Sequence, residues 1–126
     1  MQEIKLQSGN TLKIQLPRFG AVMDLIRCAC REIKKDGLSV DLEALKTGDI
    51  LGIILSLVGS KEFEECYWNV SAGCLYNGER VTASLFEDRE EAREDYFEVQ
   101  YKIIEASLRP FGKSLLSMLQ QNQIVK

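Results

Sequence analysis

Cysteine is the residue type in this sequence with the most versatile chemistry, because a thiolate can act as a nucleophile or bind a metal ion. The chain has four cysteines, at Cys28, Cys30, Cys66 and Cys74. Cys28 and Cys30 are two residues apart on a predicted helix, where side chains point about 200° away from each other. They cannot face one ion, and the Cys-x-x-Cys spacing typical of zinc sites is absent. The sequence therefore predicts reduced thiols that pack as small apolar side chains.

The chain contains no histidine, which excludes several classes of enzyme. Without an imidazole it cannot form a Ser-His or Cys-His nucleophile pair, a histidine-ligated zinc site or a histidine general base. The sequence also contains no GxxxxGK[ST] or GxGxxG phosphate-binding motif and no GxSxG nucleophile elbow. We therefore predict no catalytic residue, no cofactor and no metal, and a protein that is not an enzyme.

An acidic run over 87–95 offers the second set of groups that could do chemistry. Glu91 and Asp95 are four residues apart, so on a helix they would share a face and could bridge a divalent ion. Known di-metal helix sites add a histidine three residues after a glutamate, and none is available here. Acidic residues also favour the start of a helix, and Glu90 with Arg93 forms a typical surface pair. The run predicts a solvated helix start, with a charged docking surface as the alternative.

The overall charge argues against nucleic acid and membrane partners. Lys and Arg number 16 against 19 Asp and Glu, for a formal net charge of −3. Nucleic-acid-binding domains usually carry a clustered basic face, and here the aromatic residues are not interleaved with basic ones. The longest apolar run, over 50–58, is much shorter than the about 20 residues that span a bilayer. The polar N-terminal residues lack the apolar stretch of a secretion signal, so we expect a cytoplasmic location.

The first element predicted from periodicity is a β-hairpin over about 2–16. Apolar and polar residues alternate on both sides of Ser8-Gly9-Asn10, a turn signal whose Gly and Asn tolerate positive φ. Pro17 closes the second strand because it cannot donate a backbone hydrogen bond. The alternating apolar positions are Ile4, Leu6, Leu12, Ile14 and Leu16.

Apolar residues at three- and four-residue steps then predict helices over most of the remaining chain. The first covers about 18–37, and a short one over 49–58 is apolar on every side. The third begins at Ser60 and ends at Tyr76-Asn77-Gly78. The fourth covers about 88–107, stops before Pro110, and is followed by a last helix over 111–121. The predicted buried faces are Phe19, Val22, Ile26, Ala29 and Ile33; Phe63, Tyr67, Val70 and Cys74; and Ala92, Tyr96, Val99 and Ile103, with Phe97 and Ile104 beside them.

Together these elements predict one α+β domain over 1–126 that is predominantly α-helical. The N-terminal β-hairpin, about 2–16, packs on a bundle of about four to five helices in the region 18–121. The chain length of 126 residues suits a single hydrophobic core.

Two apolar segments, 50–58 and the stripe over 111–119, contain more apolar residues than such a core needs. Both are typical of helices that dock in a groove of another chain. The alternative, that both simply complete the core, stays open. The predicted partner-binding residues are Ile50, Ile53, Ile54, Leu57, Phe111, Leu115, Leu116, Met118 and Leu119.

Several stretches of the sequence resemble the tail assembly chaperones of long-tailed bacteriophages. The resemblance is clearest in the second half of the chain and looser in the first, where a hairpin followed by a helix is similar to the family. None of these stretches is a catalytic motif. They are Cys-Leu-Tyr-Asn-Gly-Glu-Arg-Val-Thr over 74–82, Phe86-Glu87, the segment 92–97, and Arg109-Pro110-Phe111 with Lys113.

The resemblance implies a mostly helical, non-enzymatic protein that forms homo-oligomers. It implies binding to the aggregation-prone tape measure protein, and recruitment of tail tube subunits through a longer, frameshifted form. The implied location is the host cell cytoplasm, with the protein absent from the mature virion. Two alternatives remain: a structural head–tail joining or tail-completion protein, and a small cytosolic protein-binding adaptor.

Overall fold

The structure is a computed structural model that describes residues 2–35 and 59–111. Within these ranges the chain is predominantly helical with an N-terminal antiparallel strand pair, which confirms the predicted α+β class. The predicted helix over 49–58, and the predicted helix over 111–121 apart from Phe111, lie outside the described residues. The elements are β1 (Gln2–Lys5), β2 (Thr11–Ile14), α1 (Phe19–Lys35), α2 (Lys61–Ser71), β3 (Leu75–Tyr76), β4 (Glu79–Arg80), α3 (Ala83–Asp88), a first 3₁₀ helix (Glu90–Asp95), α4 (Tyr96–Leu108) and a second 3₁₀ helix (Arg109–Phe111).

The N-terminal hairpin forms where the alternating pattern predicts it. Strands β1 and β2 pair antiparallel, with Ile4 opposite Leu12. The Leu6 backbone N–H donates to the Asn10 carbonyl at 2.8 Å, and the Gly9 N–H donates back to the Leu6 carbonyl at 2.9 Å. Gly9 has φ of +94°, a conformation that costs glycine little and other residues considerably more. The turn therefore depends on the glycine that signalled it.

A second hairpin, β3–β4, stands where the sequence predicted the end of a helix. Helix α2 ends at Ser71, and Asn77 and Gly78 form the hairpin turn with φ of +48° and +85°. Positive φ at both central residues is the geometry that two-residue hairpins prefer, and Asn-Gly is its commonest sequence. Strand β3 pairs with β2 as well, so the sheet has four antiparallel strands in the order β1-β2-β3-β4. The predicted helix end at Tyr76-Asn77-Gly78 is therefore wrong.

Helix α1 buries a face rotated from the predicted one. Val22, Leu25 and Cys28, spaced three residues apart, are each at most 2% exposed. Helix α1 packs most extensively against α2. Ile26 and Ala29, which we predicted on the buried face, are only half-buried, and Phe19 is 66% exposed.

Helix α2 begins as predicted, because the Ser60 hydroxyl accepts a hydrogen bond from the Phe63 backbone N–H at 3.1 Å. A serine at this position satisfies one of the donors that the first helical turn leaves unpaired. Phe63, Tyr67 and Val70 are buried on one face of the helix, which confirms their predicted role. Cys74 is buried too, but it follows the helix rather than belonging to it.

The predicted helix over 88–107 is interrupted in its first half. Helix α3 begins one turn earlier, capped by the Thr82 hydroxyl, and ends at Asp88. Arg89 is extended, with φ of −119° and ψ of 102°, and the acidic residues that follow form the first 3₁₀ helix. Regular α-helix resumes at Tyr96 and stops at Leu108, before Pro110 as predicted.

The core lies between the sheet and the helices α1, α2 and α4. Its members are the inward-facing residues of the first hairpin, the buried faces of these helices and the buried residues of β3 and α3. No helix in the described ranges is long and apolar enough to cross a membrane. The core residues at most 2% exposed include Leu12, Val22, Leu25, Cys28, Tyr67, Val70, Cys74, Val81, Ala92, Val99 and Ile103.

Candidate functional site

A polar cluster fastens the turn of the first hairpin to the start of α4. Its centre is Asp95, which is only 4% exposed. One oxygen of its carboxylate, Oδ2, accepts hydrogen bonds from the Ser8 hydroxyl at 2.8 Å, the Asn10 amide at 2.8 Å and the Tyr76 hydroxyl at 2.7 Å. Ser8 and Asn10 belong to the turn of the first hairpin and Tyr76 lies on strand β3, so one carboxylate joins the two hairpins to the start of α4. We call Ser8, Asn10, Tyr76 and Asp95 the Asp95 cluster.

Further hydrogen bonds beside the cluster join the turns of the two hairpins. The Asn77 amide donates to the Asn10 side-chain oxygen at 3.0 Å, and the Thr11 N–H donates to the Asn77 side-chain oxygen at 2.9 Å. The Gln7 N–H donates to the Glu98 carboxylate at 3.2 Å, on the first turn of α4. The hairpin turn is therefore held by side chains and backbone groups from three elements.

The protonation states of the cluster follow from these contacts. Burial alone would raise the pKa of Asp95, but the donors Asn10, Tyr76 and Ser8 outweigh burial and hold the pKa below its ordinary value. The pKa of Tyr76 is raised, first by burial and then by its hydrogen bond to Asp95 and the charge of that carboxylate. At neutral pH the cluster therefore contains a carboxylate and a neutral phenol. A phenol with a raised pKa is a poor general base, so this geometry favours a structural clamp.

Asp95 does not behave as the sequence predicted. We expected it on a solvated helix face with Glu91, but it is buried, whereas Glu91 is exposed and lies 3.8 Å from Arg89 in an ion pair. Arg93 donates to the carbonyl of Phe86 at 2.8 Å, a contact with the backbone rather than the predicted pair with Glu90. Within residues 2–35 and 59–111, no group of three or more carboxylates or thiols is placed to hold a metal ion.

The cysteines whose side chains are described are free thiols placed in or beside the core. Cys28 and Cys74 are fully buried and Cys66 is half-buried, which confirms the predicted packing role for these three. Burial raises the pKa of Cys74, and burial followed by the neighbouring Cys28 raises the pKa of Cys66. A raised pKa keeps a thiol protonated at neutral pH, so Cys66 and Cys74 are poor nucleophiles. The side chain of Cys30 lies outside the description.

A row of aromatic rings runs along the contact between α2 and α4. Trp68 lies 4.9 Å from Tyr67 and 6.3 Å from Tyr96, measured between ring centroids. Tyr96 in turn meets Phe97 edge-on at 5.2 Å. The row begins in the core and ends at Phe97, which is 44% exposed. It is packing of the kind that the helical spacing predicted, with one aromatic residue at the surface.

The opposite end of the first hairpin carries an exposed apolar patch. Leu16 and Phe19 are 65% and 66% exposed, more than any other large apolar side chain whose exposure is described. The ring of Phe19 lies 5.9 Å from the half-buried ring of Phe111, at an angle of 45°. Pro110, also exposed, precedes Phe111 in the second 3₁₀ helix. We call Leu16, Phe19, Pro110 and Phe111 the apolar patch.

A groove of about 600 Å³ borders the apolar patch, between the open end of the hairpin and the end of α4. Ile14 and Ala106, both buried, contribute apolar surface to it, and Arg109 is its charged lining residue. Arg109 is paired with Glu105 at 2.8 Å. The residues lining the groove are Gln2, Ile14, Gln15, Leu16, Ala106, Arg109 and Pro110.

Of the predicted partner-binding residues, the structure describes only Phe111, which belongs to the apolar patch. The others lie outside the described residues: Ile50, Ile53, Ile54, Leu57, Leu115, Leu116, Met118 and Leu119. The predictions for Leu16 and Phe19 are wrong, because both were assigned to inward-facing positions and both are exposed. Only the tertiary contacts place them on one surface, because Phe19 lies against Phe111 and Leu16 lines the same groove as Pro110.

Sequence reasoning also missed the Asp95 cluster. Its donors are distant in sequence: Ser8 precedes Asp95 by 87 residues. One local signal was present, because Asn-Gly, here at 77–78, is the commonest sequence of a two-residue hairpin turn. Recognising it would have placed Tyr76 on a strand.

Comparisons with known proteins give no relative for this chain: no family model matches it, and no match was found among the curated proteins or the solved structures. The apolar patch with its groove is the better candidate binding site, because Asp95 and Tyr76 are buried and hydrogen-bonded to each other.

Proposed function

We propose that this protein is a non-enzymatic phage tail assembly chaperone that binds the tape measure protein and keeps it soluble. In this proposal the protein acts in the host cell cytoplasm as a homo-oligomer, helps recruit tail tube subunits, and is absent from the finished virion. The observation that carries it is the apolar patch, where Leu16 and Phe19 remain more than half exposed beside a groove of about 600 Å³. A contiguous exposed apolar surface on a soluble protein is typical of a binding site.

The chemistry around the patch supports binding of an apolar segment. The patch supplies one aliphatic and two aromatic side chains together with a proline ring, which match the apolar face of an amphipathic helix. The net charge of −3 keeps a complex with an aggregation-prone chain soluble. The resemblance over 74–82, 86–87, 92–97 and 109–111 supports the choice of client, and its last stretch contributes Pro110 and Phe111 to the patch.

The test is co-expression with the tape measure protein encoded in the same genome. Wild-type protein should shift that client from the pellet to the soluble fraction and co-purify with it. The double variant Leu16→Asp/Phe19→Asp should lose most of this effect, because two carboxylates would have to be desolvated on binding. Both positions are exposed, so the variant should keep the wild-type circular dichroism spectrum and unfolding midpoint.

Phe97→Asp is the matched control, because it places a carboxylate at an exposed aromatic residue outside the patch. It should solubilise the client as the wild type does. A folded Leu16→Asp/Phe19→Asp variant that keeps the client fully soluble would contradict the assignment of the binding face. Presence of the protein in purified virions would contradict the chaperone proposal itself and favour a structural tail component.

A further inference from the structure

Strand β1 forms an open edge of the sheet. It is the outermost strand in the order β1-β2-β3-β4, and no other strand of the described ranges pairs with its outer side. The opposite edge, β4, has two residues, and the Arg89 guanidinium is bound to Glu79 beside it. Open edges present unpaired backbone groups that can pair with another chain unless the protein blocks them.

The hydrogen-bond pattern of the hairpin determines which backbone groups of β1 point outward. Leu6 and Asn10 form a hydrogen-bonded pair, because the Leu6 N–H donates to the Asn10 carbonyl at 2.8 Å. Hydrogen-bonded and non-hydrogen-bonded pairs alternate along an antiparallel ladder, so Ile4 also bonds inward to its partner on β2. The N–H and C=O groups of Glu3 and Lys5 therefore point away from β2.

The side chains of β1 give this edge a charge pattern. Glu3 and Lys5 are exposed on the solvent face of the sheet, and neither forms an ion pair with another described residue. Ile4, between them, points to the other face and is half-buried against the core. The two residues with outward backbone groups are thus the two with unpaired opposite charges.

We propose that the β1 edge binds the β1 edge of a second copy of this chain, antiparallel, with Ile4 opposite Ile4 of the second copy. In this register Glu3 of each copy faces Lys5 of the other, and both residues have outward backbone groups, so each pair exchanges two backbone hydrogen bonds. The opposite charges lie directly across from each other, which stabilises cross-strand pairing. The product is a two-fold symmetric dimer with one continuous sheet.

Charge selects this register over its neighbours. Sliding the strands by two residues places Glu3 opposite Glu3, or Lys5 opposite Lys5, and like charges directly opposite are destabilising. Sliding by one residue matches outward groups of one strand with inward groups of the other and breaks the hydrogen bonds. On the solvent face this register also continues an alternation of positive and negative side chains from strand to strand, because Lys13 of β2 lies opposite Glu3 within one copy.

This dimer uses the outer edge of β1, which meets the groove only at Gln2, and it gives a structure to the homo-oligomer of the function proposed above. Its test does not involve the tape measure protein, so the dimer can fail while client binding at the apolar patch stands. Its test is sedimentation equilibrium of the full chain over a concentration series. Wild-type protein should move from a mass of 14.3 kDa towards twice that value as concentration rises. The single variants Glu3→Lys and Lys5→Glu should each dimerise at least about tenfold more weakly, because each sets like charges opposite across the two-fold axis.

The decisive sample is an equimolar mixture of the two variants. Positions 3 and 5 are both basic in Glu3→Lys and both acidic in Lys5→Glu, so opposite charges face each other in a mixed pair. The mixture should therefore regain the wild-type association constant as a heterodimer. Glu65→Lys, which makes the same charge change at an exposed residue of α2, should leave dimerisation unchanged. The proposal is overturned if the wild type stays monomeric or if the mixture does not regain the wild-type association. It is also overturned if Glu3→Lys and Lys5→Glu each assemble to the same mass as the wild type.

Glu3→Pro provides an independent check that involves the backbone. Residue 3 does not use its N–H to bind β2, and proline is tolerated on edge strands, so the hairpin should persist. The variant should retain its circular dichroism spectrum and lose dimerisation, because it removes an outward donor and blocks the approach of the second strand. A folded Glu3→Pro variant that dimerises as the wild type does would also overturn the proposal.

Discussion

Tyr76 and Tyr67 are both buried tyrosines, 3% and 0% exposed, yet replacing each with phenylalanine should have different consequences. The Tyr76 hydroxyl donates to the Asp95 carboxylate at 2.7 Å. The Tyr67 hydroxyl has no hydrogen-bond partner among the described residues. The same chemical change therefore removes a charge-assisted bond at one position and an unpaired polar group at the other.

The magnitudes follow from these contacts. A hydrogen bond to a charged group contributes about 1.5–3 kcal/mol net, so Tyr76→Phe should lower the free energy of unfolding by about 2 kcal/mol. The Asn10 amide, which also donates to the Tyr76 hydroxyl at 2.9 Å, keeps a partner in this variant because it donates to Asp95 at 2.8 Å. Burying the unpaired Tyr67 hydroxyl carries a desolvation cost, so Tyr67→Phe should leave stability unchanged or raise it by up to about 1 kcal/mol.

The assay is urea unfolding at pH 7, followed by far-ultraviolet circular dichroism and by the fluorescence of Trp68. Trp68 is the only tryptophan of the chain, and its ring lies 4.9 Å from that of Tyr67, so its emission reports on the core. Equal dependence of the unfolding free energy on urea in all variants would show that only stability changed. Tyr67→Phe is the matched control, since both substitutions delete a single hydroxyl from a buried ring.

Two results would refute the reasoning. The first is a Tyr76→Phe variant within about 0.5 kcal/mol of the wild type, which is the range of ordinary surface substitutions. The second is an equal loss in both variants, which would mean that the rings and not the hydroxyl contacts decide stability. A double-mutant cycle with Asp95→Asn should give a coupling energy of at least about 1 kcal/mol if the two side chains bond as described.

Three further predictions concern other parts of the described chain. The pKa of Asp95 is lower in the folded protein than its unfolded value of about 3.9. The carboxylate therefore stabilises the folded protein above about pH 3.9, and this stabilisation is lost as the pH falls through the folded pKa. Asp95→Asn should therefore lose stability at pH 7, and its difference from the wild type should shrink in urea titrations below about pH 4. Gly78→Ala should lower the unfolding free energy by roughly 1–2 kcal/mol because φ is +85° there, and an unchanged thermal midpoint would contradict the hairpin turn. Ser60→Ala should cost about 1 kcal/mol by removing the cap of α2, whereas Ser60→Asp should retain most of the stability, as calorimetry can check.

Short-range signals predicted a large part of this fold. The alternation around Ser8-Gly9-Asn10 located the first hairpin, and Ser60 located the start of α2. Both signals work through contacts within a few residues, a positive φ at Gly9 and a side-chain cap at Ser60. Such contacts form in nearly the same way whatever the rest of the chain does, so a sequence can be interpreted reliably for them.

The acidic run over 87–95 shows where this reasoning fails. Its composition favours the first turn of a helix, and a continuous helix over 88–107 was the natural prediction. The carboxylate of Asp95 is instead bound by donors from the turn of the first hairpin and from strand β3, and the backbone before it forms a 3₁₀ helix. Local propensity is worth a few tenths of a kcal/mol per residue, less than the charge-assisted hydrogen bonds that compete with it here.

By itself, then, the sequence determined the α+β class, the first hairpin, the start of α2 and the packing of the described cysteine side chains in or beside the core. It also excluded sites that need a histidine of this chain, because no fold can supply a side chain that the sequence lacks. Only the tertiary structure decided that Asp95 is a buried clamp and that Leu16 and Phe19 are exposed beside Phe111. The physical reason is that burial depends on which remote segments pack together, and those contacts join residues that no local pattern connects.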